Sequence, residues 1–231
     1  MRKTIPFIFV ISIMLLSSSC FHKKTGPAKS AEELYNESTA ELNKKSSFPR
    51  LFSGTNFDKL FENLKEIQIR YTFSPYATLA EVRTGDAYFK QEEYSLAVSE
   101  YTEFIKLHPT HSEIEHATYY IAESYYLLRR GKDRDYGKPI LAIEWFTKFI
   151  QQFPDSTERV EEAKKKIIEC RNILAKREIY IGKFYQKRKN YEAAIKRYNN
   201  VLEKYPDTRY NNEALELLEE VKVKPEKQKS S

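Results

Sequence analysis

The sequence predicts an all-α fold, a solenoid of about five helix pairs, and three observations carry that prediction. The first is self-similarity: Gly85, Tyr88, Tyr94, Ala97, Tyr101 and Pro109 recur as Gly182, Tyr185, Tyr191, Ala194, Tyr198 and Pro206 with every interval preserved. The second is a third copy between them, in which Ala122, Tyr125, Ala142, Phe146 and Pro154 take the same roles. The third is helical periodicity, seen in Ala194, Tyr198 and Val201, which return every three or four residues as one face of a helix does.

The spacing is that of the tetratricopeptide repeat (TPR): a small residue, an aromatic, an alanine, a second aromatic and a closing proline at fixed offsets. The small residues let helix A and helix B of each pair approach closely, the aromatics fill the remaining space, and proline ends the pair.

The elements follow in order. Residues 1–19 begin with Arg2 and Lys3, run apolar from Ile5 to Leu16 and end in small residues, the pattern of a secretory signal; the stretch is short for an uncleaved anchor. Cys20 follows directly, as in the lipobox of bacterial lipoproteins, with Leu16 one place further from the cysteine than usual. Cys20 is therefore the expected site of lipid attachment. Residues 20–31 carry Gly, Pro and Lys without apolar periodicity and read as a flexible tether.

The TPR domain is expected over 32–220. Repeat one, about 32–74, is degenerate, with Phe57 and Leu60 where a tyrosine and an alanine would stand and a Ser/Pro/Gly-rich interruption at 47–55. Repeats two to four are expected at about 75–110, 115–155 and 158–207. In the third, "RRGKDRDYGKP" lengthens the loop between its helices. A partial fifth repeat at 208–220 has Ala214 and Leu218 on its apolar face, and 221–231 reads as a charged, disordered tail.

Charge and motifs narrow the function. The formal net charge is +6, and loss of Arg2 and Lys3 with the signal lowers it by two, so no basic stripe argues for nucleic acid. With Cys20 lipidated, Cys170 has no partner for an internal disulfide; Val160, Ala163, Ile167, Cys170 and Leu174 share a helical face, which makes Cys170 a buried small hydrophobe. His108, His111 and His116 cluster in sequence but flank a turn and a helix start, and lack the spacing of a metal site. "GKDRDYG" has no phosphate-binding order, and no nucleophile elbow occurs. No catalytic residue, cofactor, metal or small-molecule substrate is expected.

A binding surface remains. The A helices of a TPR stack line its concave side, and positions adjacent to the consensus small residue are expected to point there. Repeat two presents Val82, Asp86 and Phe89 there, repeat three Tyr119, Glu123 and Tyr126, and repeat four Lys176, Lys183 and Gln186; Val82, Phe89, Tyr119 and Tyr126 make the candidate peptide-binding groove, which turns basic in repeat four. The same rings could equally pack as extra core.

Longer runs sharpen the picture. "IRYTFSPYATLAEVRTGDAYFKQEEYSLAVSEYTEFIKLHPTH", the loop with Asp133 and Asp135 before "AIEWFTKFIQQFPDS", and an unbroken helix from Glu158 to about Lys187 together resemble the BamD family, TPR lipoproteins of outer-membrane β-barrel assembly. Thr72 stands where that family usually has proline. The resemblance implies a lipid-anchored scaffold on the periplasmic face of the outer membrane. Its implied partners are a BamA-like barrel protein, met through Arg197, and unfolded outer-membrane proteins. Arg197 has no carboxylate three or four residues away on its own helix and is expected to be solvated and unpaired. The alternative is a periplasmic TPR adaptor for cell-envelope or peptidoglycan assembly.

Overall fold

The computed structural model describes residues 28–44, 46–47, 52–129 and 136–229. The signal segment, Cys20, most of the expected tether and the loop residues Asp133 and Asp135 lie outside the described residues. The helices are α1 (Ala31–Asn43), α2 (Phe57–Arg70), α3 (Pro75–Lys90), α4 (Tyr94–Leu107), α5 (Ile114–Leu128), α6 (Gly137–Gln152), α7 (Thr157–Lys187), α8 (Tyr191–Lys204) and α9 (Asn211–Lys229). Each packs on its sequence neighbours, as the repeat spacing predicts. The α1–α2 connection adds one small antiparallel pairing, β1 (Ser46–Ser47) with β2 (Phe52–Ser53).

Local chemistry sets the helix ends. Ser30 caps α1 in a capping box with Glu33, so the first helix starts at Ala31, inside the segment expected to be tether. Asn56 caps α2 by accepting from the Lys59 N–H, and Pro75 opens α3 where its missing N–H costs nothing. Tyr71, His108, Phe153 and Tyr205 close α2, α4, α6 and α8 alike, each donating its backbone N–H four residues back. Between α3 and α4, and again between α7 and α8, one residue turns left-handed, Glu92 at φ 66° and Lys189 at φ 59°. The following N–H groups, of Glu93 and Asn190, reach back to the carbonyls of Tyr88 and Tyr185.

One boundary differs from expectation. The last helix continues to Lys229, through the region expected to be a disordered tail. Val221 is buried against the preceding repeat and anchors the turn from which the helix continues, although Pro225 within it can donate no backbone hydrogen bond.

The core is a chain of clusters strung along the solenoid. Leu60, Leu64 and Ile67 join Ala80 and Ala87 at the first end. Val82, Ala97, Tyr101 and Phe104 meet Ala117 and Ile121 next. Phe146, Phe149 and Cys170 lie between α5, α6 and α7, and Tyr198 and Val201 lie against Ala214 and Leu218 at the far end.

Candidate binding cleft and partner surface

Helices α1, α3 and α5 are the A helices of the first three repeats, and a cleft of about 420 Å³ opens between them. Its walls include Tyr35, Thr39 and Leu42 from α1, Arg83, Asp86, Phe89 and Lys90 from α3, and His116 and Tyr120 from α5. Phe89 packs edge-on to Tyr120 with ring centroids 4.8 Å apart, and also against Tyr94 at 5.4 Å. One wall is thus aromatic.

The cleft floor beside the rings is a polar network whose charges are already matched. Arg83 donates to Asp86 at 2.6 Å, to Glu113 at 2.7 Å and to the Tyr35 hydroxyl at 3.2 Å. Asp86 also accepts from the Tyr101 hydroxyl at 2.6 Å and lies 2.6 Å from Nε2 of His116. Burial pushes the Asp86 carboxyl up, but His116, Arg83 and the Tyr101 hydroxyl outweigh burial and hold it below its ordinary range. Lys90 directs its ammonium at the last carbonyls of α1, those of Leu42 at 2.5 Å and Lys44 at 2.7 Å. A cation at a helix C-terminus satisfies carbonyls the helix itself cannot. The cleft therefore offers rings and a satisfied polar floor, a surface for an extended chain with an aromatic side chain.

The four residues expected to line the groove divide. Phe89 is half-buried and lines the cleft. Val82 is 0% exposed, inside the cluster between α3, α4 and α5, and does not line a groove. Tyr119 and Tyr126 are also buried, packed edge-on to Phe146. Their hydroxyls meet α7: Lys166 donates to Tyr119 at 3.1 Å, and Tyr126 donates to Glu169. Position along the helix does not separate them: Val82 and Phe89 stand three before and four after the small Gly85, as Tyr119 and Tyr126 do around the small Ala122. The neighbours separate them: Val82 meets α4 and α5, and α6 and α7 cover Tyr119 and Tyr126, whereas Phe89 reaches the cleft. Asp86, expected on the concave side, lines the cleft, and Arg83 and Lys90 join it there; a polar side chain on either side of the consensus glycine was the signal available for those two.

The basic end is also partly neutralised, since Lys183 pairs with Glu213 at 2.6 Å. Arg197 differs from expectation in the same way. Its guanidinium donates to Glu178 on α7 at 3.2 Å, and Asn200 donates to the same carboxylate at 3.1 Å. Glu178 is 19 residues away in sequence, on a helix that α8 packs against, so a search along one helix does not find it. Arg197 remains partly exposed at the edge of the α7–α8 seam. Two of the three histidines meet carboxylates, His108 lying 2.8 Å from Glu81 and His116 against Asp86, while Nδ1 of His111 accepts the Glu113 backbone N–H at 3.2 Å.

The family model described as YfiO, outer membrane lipoprotein, matches residues 27–230. An outer membrane protein assembly factor BamD of Rickettsia prowazekii is 31% identical over 95% of this chain and 83% of its own length. The chain belongs to the YfiO/BamD family. BamD proteins of Neisseria gonorrhoeae and Caulobacter vibrioides are 27% and 28% identical, covering 92% and 91% of this chain and 82% and 68% of their own. The BamD relatives are assembly factors rather than enzymes. The family match runs from before α1 to the end of α9, so the cleft and the Arg197 seam both fall within the part shared with BamD.

Proposed function

We propose that this chain is a lipid-anchored scaffold of the β-barrel assembly (Bam) complex on the periplasmic face of the outer membrane. It is held by Cys20, binds a BamA-like barrel protein at the Arg197 seam and receives unfolded outer-membrane proteins in the cleft beside Phe89. The observation that carries this reading is the match, over 91–95% of the chain, to relatives named as outer membrane protein assembly factors. The cleft supports its client side, because rings above a neutralised floor suit an extended aromatic-ended segment without demanding one sequence.

The partner surface is tested by affinity capture from solubilised envelopes. Arg197→Glu should lower barrel-protein affinity by about 2 kcal/mol, roughly thirtyfold, as reversal of one half of an interfacial charge pair does. Because that change also sets a carboxylate against Glu178, it is compared with the exchange Arg197→Glu, Glu178→Arg, which rebuilds the internal pair. Capture restored by the exchange would make Arg197 a structural residue. Failure of the wild-type chain to capture any barrel protein would move the periplasmic adaptor for envelope or peptidoglycan assembly into its place. For the client side, Phe89→Ala should weaken binding of an extended peptide ending in an aromatic residue while helix content is unchanged.

A further inference from the structure

The edge of the solenoid where the N-terminal segment arrives differs from every other turn on that edge. Successive helices run up and down, so the start of α1 and the α2–α3, α4–α5, α6–α7 and α8–α9 turns share one side. The Tyr71 hydroxyl, at the end of α2, donates to the Lys29 carbonyl just before α1, which pins the two ends together. At this corner Phe73 is fully exposed and Ile69 is 64% exposed.

The repeats supply an internal control. Aligned on Thr72, Pro109, Pro154 and Pro206, the positions equivalent to Phe73 are Thr110, Asp155 and Asp207, and those equivalent to Ile69 are Lys106, Gln151 and Glu203. All six are exposed and polar. The same backbone position is thus polar wherever it faces water and apolar only beside the chain entry.

We infer that this corner, Phe73 with Ile69, rests in the interface of the lipid bilayer that holds the N-terminal anchor. The inference rests on the proposed lipidation of Cys20. From Cys20 to Ala28 an extended chain reaches at most roughly 28 Å, so an anchored Cys20 keeps this end of the solenoid near the membrane surface. Among the described residues no helix is long and apolar enough to cross a membrane, and the contact is interfacial. An exposed aromatic beside an aliphatic side chain is the composition that partitions at the level of the headgroups. The corner would add a second, weaker hold to the lipid anchor and fix which edge of the solenoid faces the bilayer, leaving the cleft and the Arg197 seam on their own surfaces.

The test uses the lipidated full chain in phosphatidylethanolamine and phosphatidylglycerol vesicles, with or without brominated acyl chains. The sequence has a single tryptophan, so Trp145→Phe provides a dark background for Phe73→Trp or Asp207→Trp. Emission at position 73 should shift to the blue and be strongly quenched by brominated lipid, while position 207 stays unquenched; Cys20→Ser should abolish both flotation and quenching. If the chain floats with the vesicles and position 73 is unquenched, or quenched no more than position 207, the membrane corner is overturned while the anchor stands. If the lipidated chain does not float, the anchor reading falls and takes the corner with it. Crosslinking from position 73 to a protein in envelopes, without lipid quenching, would assign the patch to a protein partner instead. Should Trp145→Phe disturb the fold, Phe73→Cys carrying an environment-sensitive fluorophore gives the same readout in the natural background, since Cys170 is buried.

Discussion

Gly85 lies directly over the ring of Tyr101: a Cβ at position 85 would come within 2.6 Å of Cε1 of that ring, closer than side chains pack. Gly182 stands over Tyr198 in the same way, so the repeated glycine and tyrosine are two halves of one helix–helix contact. Tyr101 cannot swing aside, because its hydroxyl is tied to Asp86. Gly85→Ala should therefore destabilise by about 1–3 kcal/mol, overpacking outweighing the roughly 1 kcal/mol that alanine gains in helix propensity. Gly54, which has nothing within 4 Å of an added Cβ, should accept alanine without loss. Urea midpoints of the two variants check the contrast.

The carboxyl beneath the cleft gives a pH dependence with a defined sign. Asp86 is held below its ordinary 3.8, so the folded state binds its proton less readily than the unfolded chain. Its contribution is complete above about pH 4 and is lost as pH falls through the lower, folded value. Glu37, Glu41 and Glu162 are lowered as well, so acid destabilisation of the wild type has several sources. Asp86→Asn isolates one of them. Its urea midpoint should fall less between pH 5 and pH 3 than the wild-type midpoint does, and parallel profiles would remove Asp86 from the account.

Cys170 should be chemically silent in the folded chain. It is 0% exposed among Ala122, Tyr126, Phe146 and Ala163, and burial pushes its thiol up to about 11. At pH 8 about one thiol in a thousand would be ionised, even before access is considered. A disulfide-exchange reagent should label it only in denaturant. Labelling of the native chain at the rate of a free thiol would mean that the α5–α6–α7 packing opens readily.

Sequence alone determined the helix pairs of this protein, because a small residue facing an aromatic at fixed intervals has one structural meaning, the close approach of two helices. It also located the apolar face of each helix, including the one that buries Cys170. Tertiary structure decided what each face meets. Val82, Tyr119 and Tyr126 stand three before or four after a small residue, as Phe89 does, and only the helices packed over them, α4 and α5 on Val82 and α6 and α7 on the tyrosines, turned those positions from groove into core. Arg197 acquired Glu178 from a helix that a search of neighbouring residues on α8 does not reach. The cleft itself joins Tyr35, Phe89 and Tyr120 from three repeats. Periodicity records which residues share a face, whereas a site is made where faces from distant parts of the chain converge, and that convergence is set by how the repeats stack.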